Sequence, residues 1–351
     1  YEMLRSLVGS EMCIRDSPQM YQVKSIVLQP NSSQNIDFEV FGEKSTNSTT
    51  LEVSSFPGVN LAQRLKYLID YPHGCGEQVT SGAFPQLYLS DFEKLTSNQQ
   101  QEIQKNISAA IRKLSDNQLS NGGFSYWKGE NYVNEWVTCY IGQFYIEAEK
   151  KGFSLPIGSK DKWIDFQKNT ARSWVKNSAN SEFLQAYRLY TLALAKQPDM
   201  ASMNRLREMP NLSNQALSRL AATYALTGQK QIAEKLFAKV VIDNSDDNDY
   251  GYGSELRNQA MALETSLLIG KQQLAADLAL KISEKLSSNE WLSTQTSAYS
   301  LYAMALYVAK NKTGKSWELN YQLGKDKGTV NSQTGFASKK FTTHIGSNKI
   351  N

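Results

Sequence analysis

Gly74-Cys75-Gly76-Glu77-Gln78, preceded by Asp70-Tyr71-Pro72-His73, is the stretch on which the reading of this chain turns. A cysteine and a glutamine three residues apart meet when the backbone between them turns tightly. The flanking Gly74 and Gly76 supply the positive φ and close backbone approach such a turn needs. Attack of the thiol on the Gln78 side-chain carbonyl, with loss of ammonia, would leave an internal thioester between Cys75 and Gln78. That bond is an acylating agent. An amine or hydroxyl that reaches it is joined to Gln78, and Cys75 leaves as the thiolate, as in a covalent intermediate that fires once. Water is a nucleophile too, so the bond persists only where water is excluded. The plainer alternative, a lone cysteine acting as a small buried hydrophobe, is not excluded by spacing.

The neighbouring segments carry more. Leu65-Lys66-Tyr67-Leu68 precedes the loop and Phe84-Pro85-Gln86-Leu87-Tyr88-Leu89 follows it. Further on stand Asn121-Gly122-Gly123-Phe124-Ser125-Tyr126-Trp127, Asn134-Glu135-Trp136-Val137-Thr138 and Trp291-Leu292-Ser293-Thr294-Gln295-Thr296. With these, the pentapeptide resembles the thioester signature of the α2-macroglobulin and complement family, and the later segments resemble its bacterial branch. The resemblance implies a mainly α fold, an α/α toroid of about six helical hairpins, flanked by strands of an incomplete CUB-type β-sandwich. It also implies a role: after bait cleavage a shield opens, and a lysine of the attacking protease is acylated by Gln78. Partners are then target proteases and the remaining macroglobulin domains, in a periplasmic, extracellular or cell-surface location. Cys75 and Gln78 would form the bond, Gly74, Gly76 and Glu77 support the loop, and Tyr71, His73, Phe124, Tyr126 and Trp127 shield or tune it. The Asn121–Trp127 segment reads equally as a tight turn packing a core aromatic, and His73 reads also as a turn-filling polar residue.

Histidine placement bears on the nucleophile. The hydroxyl-reactive complement branch uses a histidine inside the toroid that takes the acyl group before hydroxyl transfer. Here the two histidines are His73 and His344, with none in the helical region after Gln78. Direct attack by amines, as in the α2-macroglobulin branch, is the expectation.

The chain has 351 residues, 40% hydrophobic and 21% charged, ordinary for a globular protein with room for one large domain and a smaller one. A net charge of +4 with no basic cluster argues against nucleic acid. No apolar run reaches membrane-spanning length. Cys13, Cys75 and Cys139 are an odd set that implies no disulfide framework. No cofactor and no metal site is expected. The acidic run Asp246-Asp247-Asn248-Asp249 lacks calcium-loop spacing and reads as a solvated loop.

Residues 1–17 resemble a cloning or adapter scar and are set aside from fold reasoning. Residues 18–56 carry β patterns at Tyr21–Leu28, Ile36–Phe41 and Thr49–Ser54. Residues 57–312 read as about twelve amphipathic helices in hairpin-like pairs, beginning at an Asn60 cap before Leu61–Ile69. Paired helices close into a ring or run as an open solenoid, and periodicity does not choose. The resemblance points to the ring. Residues 313–351 return to β patterns at Ser316–Leu323, Gly328–Val330 and Lys340–Ile345. Strands on both sides of a helical block suggest a sandwich with the ring inserted. Two other function classes stay open. One is an opsonin or adhesin that tags surfaces through the same bond. The other is a toroid enzyme acting on glycans or prenyl chains, which needs a carboxylate or metal constellation that the sequence does not display. Arg257 and Glu264, seven apart on one expected helix, read as structural.

Overall fold

Two kinds of helix alternate along this chain, and their alternation builds the ring. The structure is a computed structural model that describes residues 20–351 apart from positions 21, 25, 44–45, 59, 71–73, 93, 177–180, 243–253, 289, 312–315 and 333–334. Its helices are α1 (Leu61–Asp70), α2 (Gly76–Ala83), α3 (Leu89–Phe92), α4 (Ser97–Ser115), α5 (Glu135–Lys150), α6 (Ser159–Ser173) and α7 (Ser181–Leu194). Then follow α8 (Met200–Arg207), α9 (Asn214–Leu226), α10 (Lys230–Phe237), α11 (Glu255–Ile269), α12 (Gln272–Leu286) and α13 (Thr294–Lys310). A 3₁₀ turn at Phe84–Tyr88 joins α2 to α3, with Pro85 in its first turn, where a missing N–H is harmless.

The amphipathic α4 buries one stripe, Ile107, Ala110, Ile111 and Leu114. By contrast α5 is buried at every position from Trp136 to Ala148. A helix buried on all sides lies inside a layer of other helices. The inner helices pack in a closed circuit: α2 on α5, α5 on α7, α7 on α9, α9 on α11, α11 on α13, and α13 back on α2. That last contact excludes the open solenoid; the helical block is an α/α toroid. Each outer helix packs on an inner neighbour in sequence, as α6 on α5 and α10 on α9. At one such seam Gly142 is required, because a Cβ there would stand 2.1 Å from the Trp163 ring.

Helix starts follow side-chain caps. Thr96 and Gln99 form a reciprocal capping box at α4. Asn134, Asp199, Ser213, Ser254 and Ser293 cap α5, α8, α9, α11 and α13. Asn60 departs from the expected cap. Its φ is +48°, in the left-handed region, and its side-chain amide donates to the Gln63 side chain rather than capping a backbone N–H.

The strands are β1 (Ile36–Val40), β2 (Thr49–Ser54), β3 (Trp317–Leu323), β4 (Asp326–Ser332), β5 (Phe336–Phe341) and β6 (Gly346–Ile350). They form a four-stranded sheet in the order β1-β6-β3-β4 and a two-stranded sheet β2-β5, with antiparallel pairing throughout. Strands before the ring therefore pair with strands after it. Their own core is small: Tyr321, Leu323, Val330, Phe341 and Ile350. Phe336 of β5 stacks on Phe56, which in turn meets Phe92 of the ring at 6.1 Å. Two β expectations are corrected. The described part of Tyr21–Leu28 forms no strand, and Val27 is exposed. The span Lys340–Ile345 is instead the end of β5 and a loop, and β6 starts at Gly346, where a φ of +100° turns the chain. The scar-like residues 1–17 with Cys13, and the acidic run 246–249, lie outside the described residues.

Candidate thioester site

Cys75 is the N-cap of α2, with φ −70° and ψ 159°. Its Sγ accepts the Gln78 backbone N–H at 3.5 Å, so one helical turn brings thiol and glutamine together. The thiol is fully buried and unpaired in any disulfide. Burial pushes its pKa up, and hydrogen bonds from the Gln78 backbone and the Tyr126 side chain pull the other way. The helix-end position favours a thiolate less than desolvation opposes it.

Gly76 acts through space, not through φ. Neither Gly74 nor Gly76 has a positive φ, which corrects the expectation of a left-handed turn. Gly76 lies against α5: a Cβ there would stand 3.0 Å from Val137 Cγ1 and 3.3 Å from Ile141 Cδ1. Its N–H donates to the Tyr126 carbonyl at 2.8 Å. At Gly74 a Cβ would meet Lys113 Nζ at 2.9 Å.

Glu77 is buried, and its carboxylate accepts from Ser81 Oγ at 2.6 Å and from Thr294 Oγ1 at 3.0 Å. Thr294 opens α13, so this carboxylate joins the first inner helix to the last. Burial raises the Glu77 pKa, and the two hydroxyls offset part of that rise. Gln78 is half-buried. Its Oε1 is buried and has no hydrogen-bond partner among the described residues. Beside it runs a groove of about 380 Å³ lined by Gln78, Tyr67, Tyr126, Trp291, Leu292 and Gln295 among others.

The fold has counterparts in known proteins. The A-macroglobulin TED domain family matches residues 47–169. The α2-macroglobulin of Escherichia coli strain K12 is 26% identical over 295 residues, 77% of this chain and 18% of that protein. Native E. coli α2-macroglobulin from domain MG7 to the C-terminus superposes with a TM-score of 0.70 at 21% identity, over 90% of this chain and 54% of that one. Salmonella α2-macroglobulin reacted with methylamine gives 0.68 at 22%, over 90% and 23%. Residues 47–169 thus match the A-macroglobulin TED domain family, and the chain as a whole is similar to bacterial α2-macroglobulins. It spans less than a fifth of the length of the E. coli relative.

Within this ring, the residues expected to shield the bond separate. Tyr126 lies at the groove. Phe124 does not: its ring is fully buried, edge-on to Tyr145 at 5.7 Å, and its N–H donates to Thr138 Oγ1. It is a core residue of the loop that carries Tyr126. Trp127 is 47% exposed and touches Tyr126 edge-on from outside. Tyr71 and His73 lie outside the described residues. Asn117 fixes the loop, its amide donating to the carbonyls of Ser125 and Tyr126. Tyr67, Thr294 and Gln295 carry no functional mark of their own in the sequence. All three fall in segments that resemble the family, which is the one signal pointing to them.

A second polar cluster occupies the middle of the ring. Glu264 of α11 accepts from Arg219 Nη1 and Tyr299 OH at 2.8 Å, from Tyr302 OH at 3.0 Å and from Tyr190 OH. Tyr187 OH donates to Gln143, whose amide reaches Tyr299. Desolvation would lower the Arg219 pKa, but Tyr299 and Glu264 outweigh it and raise it. Arg257, also of α11, reaches across to Gln295 of α13 at 3.0 Å.

Proposed function

We propose that Cys75 and Gln78 form an internal thioester, and that this chain is the thioester domain of a protease-trapping inhibitor acting once by acylation of lysine amines. The observation that carries the reading is the placement of the Cys75 thiol, fully buried and hydrogen-bonded to the Gln78 N–H, one turn from a glutamine that lines a groove. Burial of the sulfur supplies the water exclusion such a bond needs. The match of residues 47–169 to the A-macroglobulin TED domain family supports it, as does the likeness to a Salmonella α2-macroglobulin whose structure follows reaction with methylamine. Residues 57–312 would be the thioester domain, and residues 18–56 with 313–351 two parts of a CUB-type domain. In the complete protein the partners are target proteases and the other macroglobulin domains, in a periplasmic or extracellular setting.

The ring interior argues against an enzyme on glycans or prenyl chains. Tyr187, Tyr190, Arg219, Glu264 and Tyr299 fill it and bond to one another or to Gln143. With no histidine between Gln78 and the end of α13, amines react directly and hydroxyls slowly.

Intact mass tests the proposal. The thioester form weighs about 17 Da less than the translated chain, the mass of the ammonia lost. Methylamine adds about 31 Da, leaving the chain about 14 Da above its translated mass, and releases one titratable thiol. A full translated mass in freshly purified protein, or glycerol incorporated as fast as methylamine, would count against the bond or against its amine preference respectively.

A further inference from the structure

Two unpaired polar atoms belong to residues lining the same groove, one an acceptor and one a donor. The acceptor is Gln78 Oε1; the donor is Nε2 of Gln295, a residue only 1% exposed. Neither has a hydrogen-bond partner among the described residues. A buried donor left unmade costs about 1–3 kcal/mol, so its retention asks for a use. The orientation of the Gln295 amide is settled by its neighbour. Arg257 Nη1 donates to Gln295 Oε1 at 3.0 Å, and a guanidinium has only donors, so the oxygen must face it and Nε2 must face away. Arg257 is itself fully buried, its guanidinium 5.3 Å from the Phe183 ring centre. Its charge polarises the Gln295 carboxamide and strengthens the N–H on the far side.

We infer that Gln295 Nε2 is the oxyanion donor for chemistry at the Gln78 acyl carbon, held in place by Arg257. This role presupposes the thioester proposed for Cys75 and Gln78. In the acylation step the amine nitrogen bonds to Gln78 Cδ, and the carbonyl π pair moves onto Oε1. The tetrahedral species then collapses, the C–S bond breaks, and Cys75 departs as thiolate while the amine's proton passes to solvent. Negative charge gathers on Oε1 in that species, and Gln295 donates to it there. The same donor serves when the bond is made, since attack of the thiol on the Gln78 amide also places charge on Oε1 before ammonia leaves. A donor preset in a water-poor site contributes more in the transition state than in the ground state.

The test compares wild type with Gln295→Met and Gln295→Glu. Met removes the donor at similar volume; Glu keeps an oxygen toward Arg257 and replaces the orphan NH₂ by oxygen. Circular dichroism and thermal melting establish folding, and intact mass with thiol release measures formation and aminolysis. The expected result is a fall of about 10²-fold in methylamine rate. Hydroxylamine and water should slow in parallel, because all three pass through the same oxyanion. Failure of a folded variant to form the bond supports the assignment equally. A residue that only shapes the groove would instead change the rates by nucleophile size. A folded variant reacting at the wild-type rate, or slowing bulky amines alone, overturns the assignment and leaves the thioester standing. Absence of the mass deficit in wild type overturns both. If Met unfolds the ring, the Glu variant decides between these outcomes in the same assays.

Discussion

The ring holds two polar clusters built on the same inner helices, and they differ in how completely their acid and amide groups are paired. At the centre Glu264 has both oxygens taken by Arg219, Tyr190, Tyr299 and Tyr302. At the rim Gln78 Oε1 and Gln295 Nε2 are left without partners among the described residues, beside an open groove. A paired buried network holds helices in register, whereas an unpaired donor and acceptor are available to chemistry. Glu77 stands between the two conditions: it is buried and bonded, yet its carboxylate carries a desolvation penalty that two hydroxyls only partly offset.

Substitutions separate the clusters. Cys75→Ala has the largest functional effect: the mass deficit disappears and methylamine incorporation falls to zero, while stability changes by about 1 kcal/mol. A variant that still takes up methylamine would place the reactive group elsewhere. Glu264→Gln does the reverse. It strands the buried Arg219 charge and costs about 3–5 kcal/mol of unfolding free energy in urea, without chemical change at Gln78 while the ring stays folded. A cost under about 1 kcal/mol would show that the central cluster does not pin the helices.

Glu77→Gln carries a pH signature. A carboxyl whose folded pKa is raised favours the folded state most below the unfolded value of about 4.3 and loses that contribution as pH rises through the folded pKa. Melting temperatures of wild type and Glu77→Gln should therefore diverge as pH climbs above the ordinary carboxylate range, with the variant the more stable at neutral pH. A constant offset across that range would refute the assignment. The smallest effect belongs outside both clusters. Lys128 and Asp116 pair at 2.8 Å with side chains 72% and 49% exposed, so Lys128→Ala should move stability by less than about 1 kcal/mol and leave aminolysis unchanged.

Much of the helical layer is legible in the sequence. α9 and α11 are each bounded by signals visible in sequence, a serine cap before the helix (Ser213, Ser254) and a positive-φ glycine after it (Gly228, Gly270). The strands are less legible. Gly346–Ile350 offers one strong apolar residue, Ile350, and becomes β6 through its pairing with β1 and β3. Tyr21–Leu28 looks like a strand, but a β pattern without a partner edge does not make one. Within the loop the glycines stand out in sequence for conformational freedom, yet what marks Gly76 is its close approach to Val137 and Ile141, residues remote along the chain. Phe124 and Trp127 carry equal aromatic weight in the sequence, yet one is fully buried and the other exposed.

The candidate reactive pair and the succession of helices follow from the order of residues alone, since both are properties of neighbours along the chain. A three-residue spacing sets Cys75 beside Gln78 in any helical turn that starts there, and apolar periodicity sets helices wherever caps permit. Closure of the ring belongs to the packed molecule, through α13 against α2 and the Glu77–Thr294 contact. So does the division of the ring's polar atoms into paired and unpaired. Those outcomes depend on groups more than two hundred residues apart meeting at one place, and local propensity holds no information about such meetings.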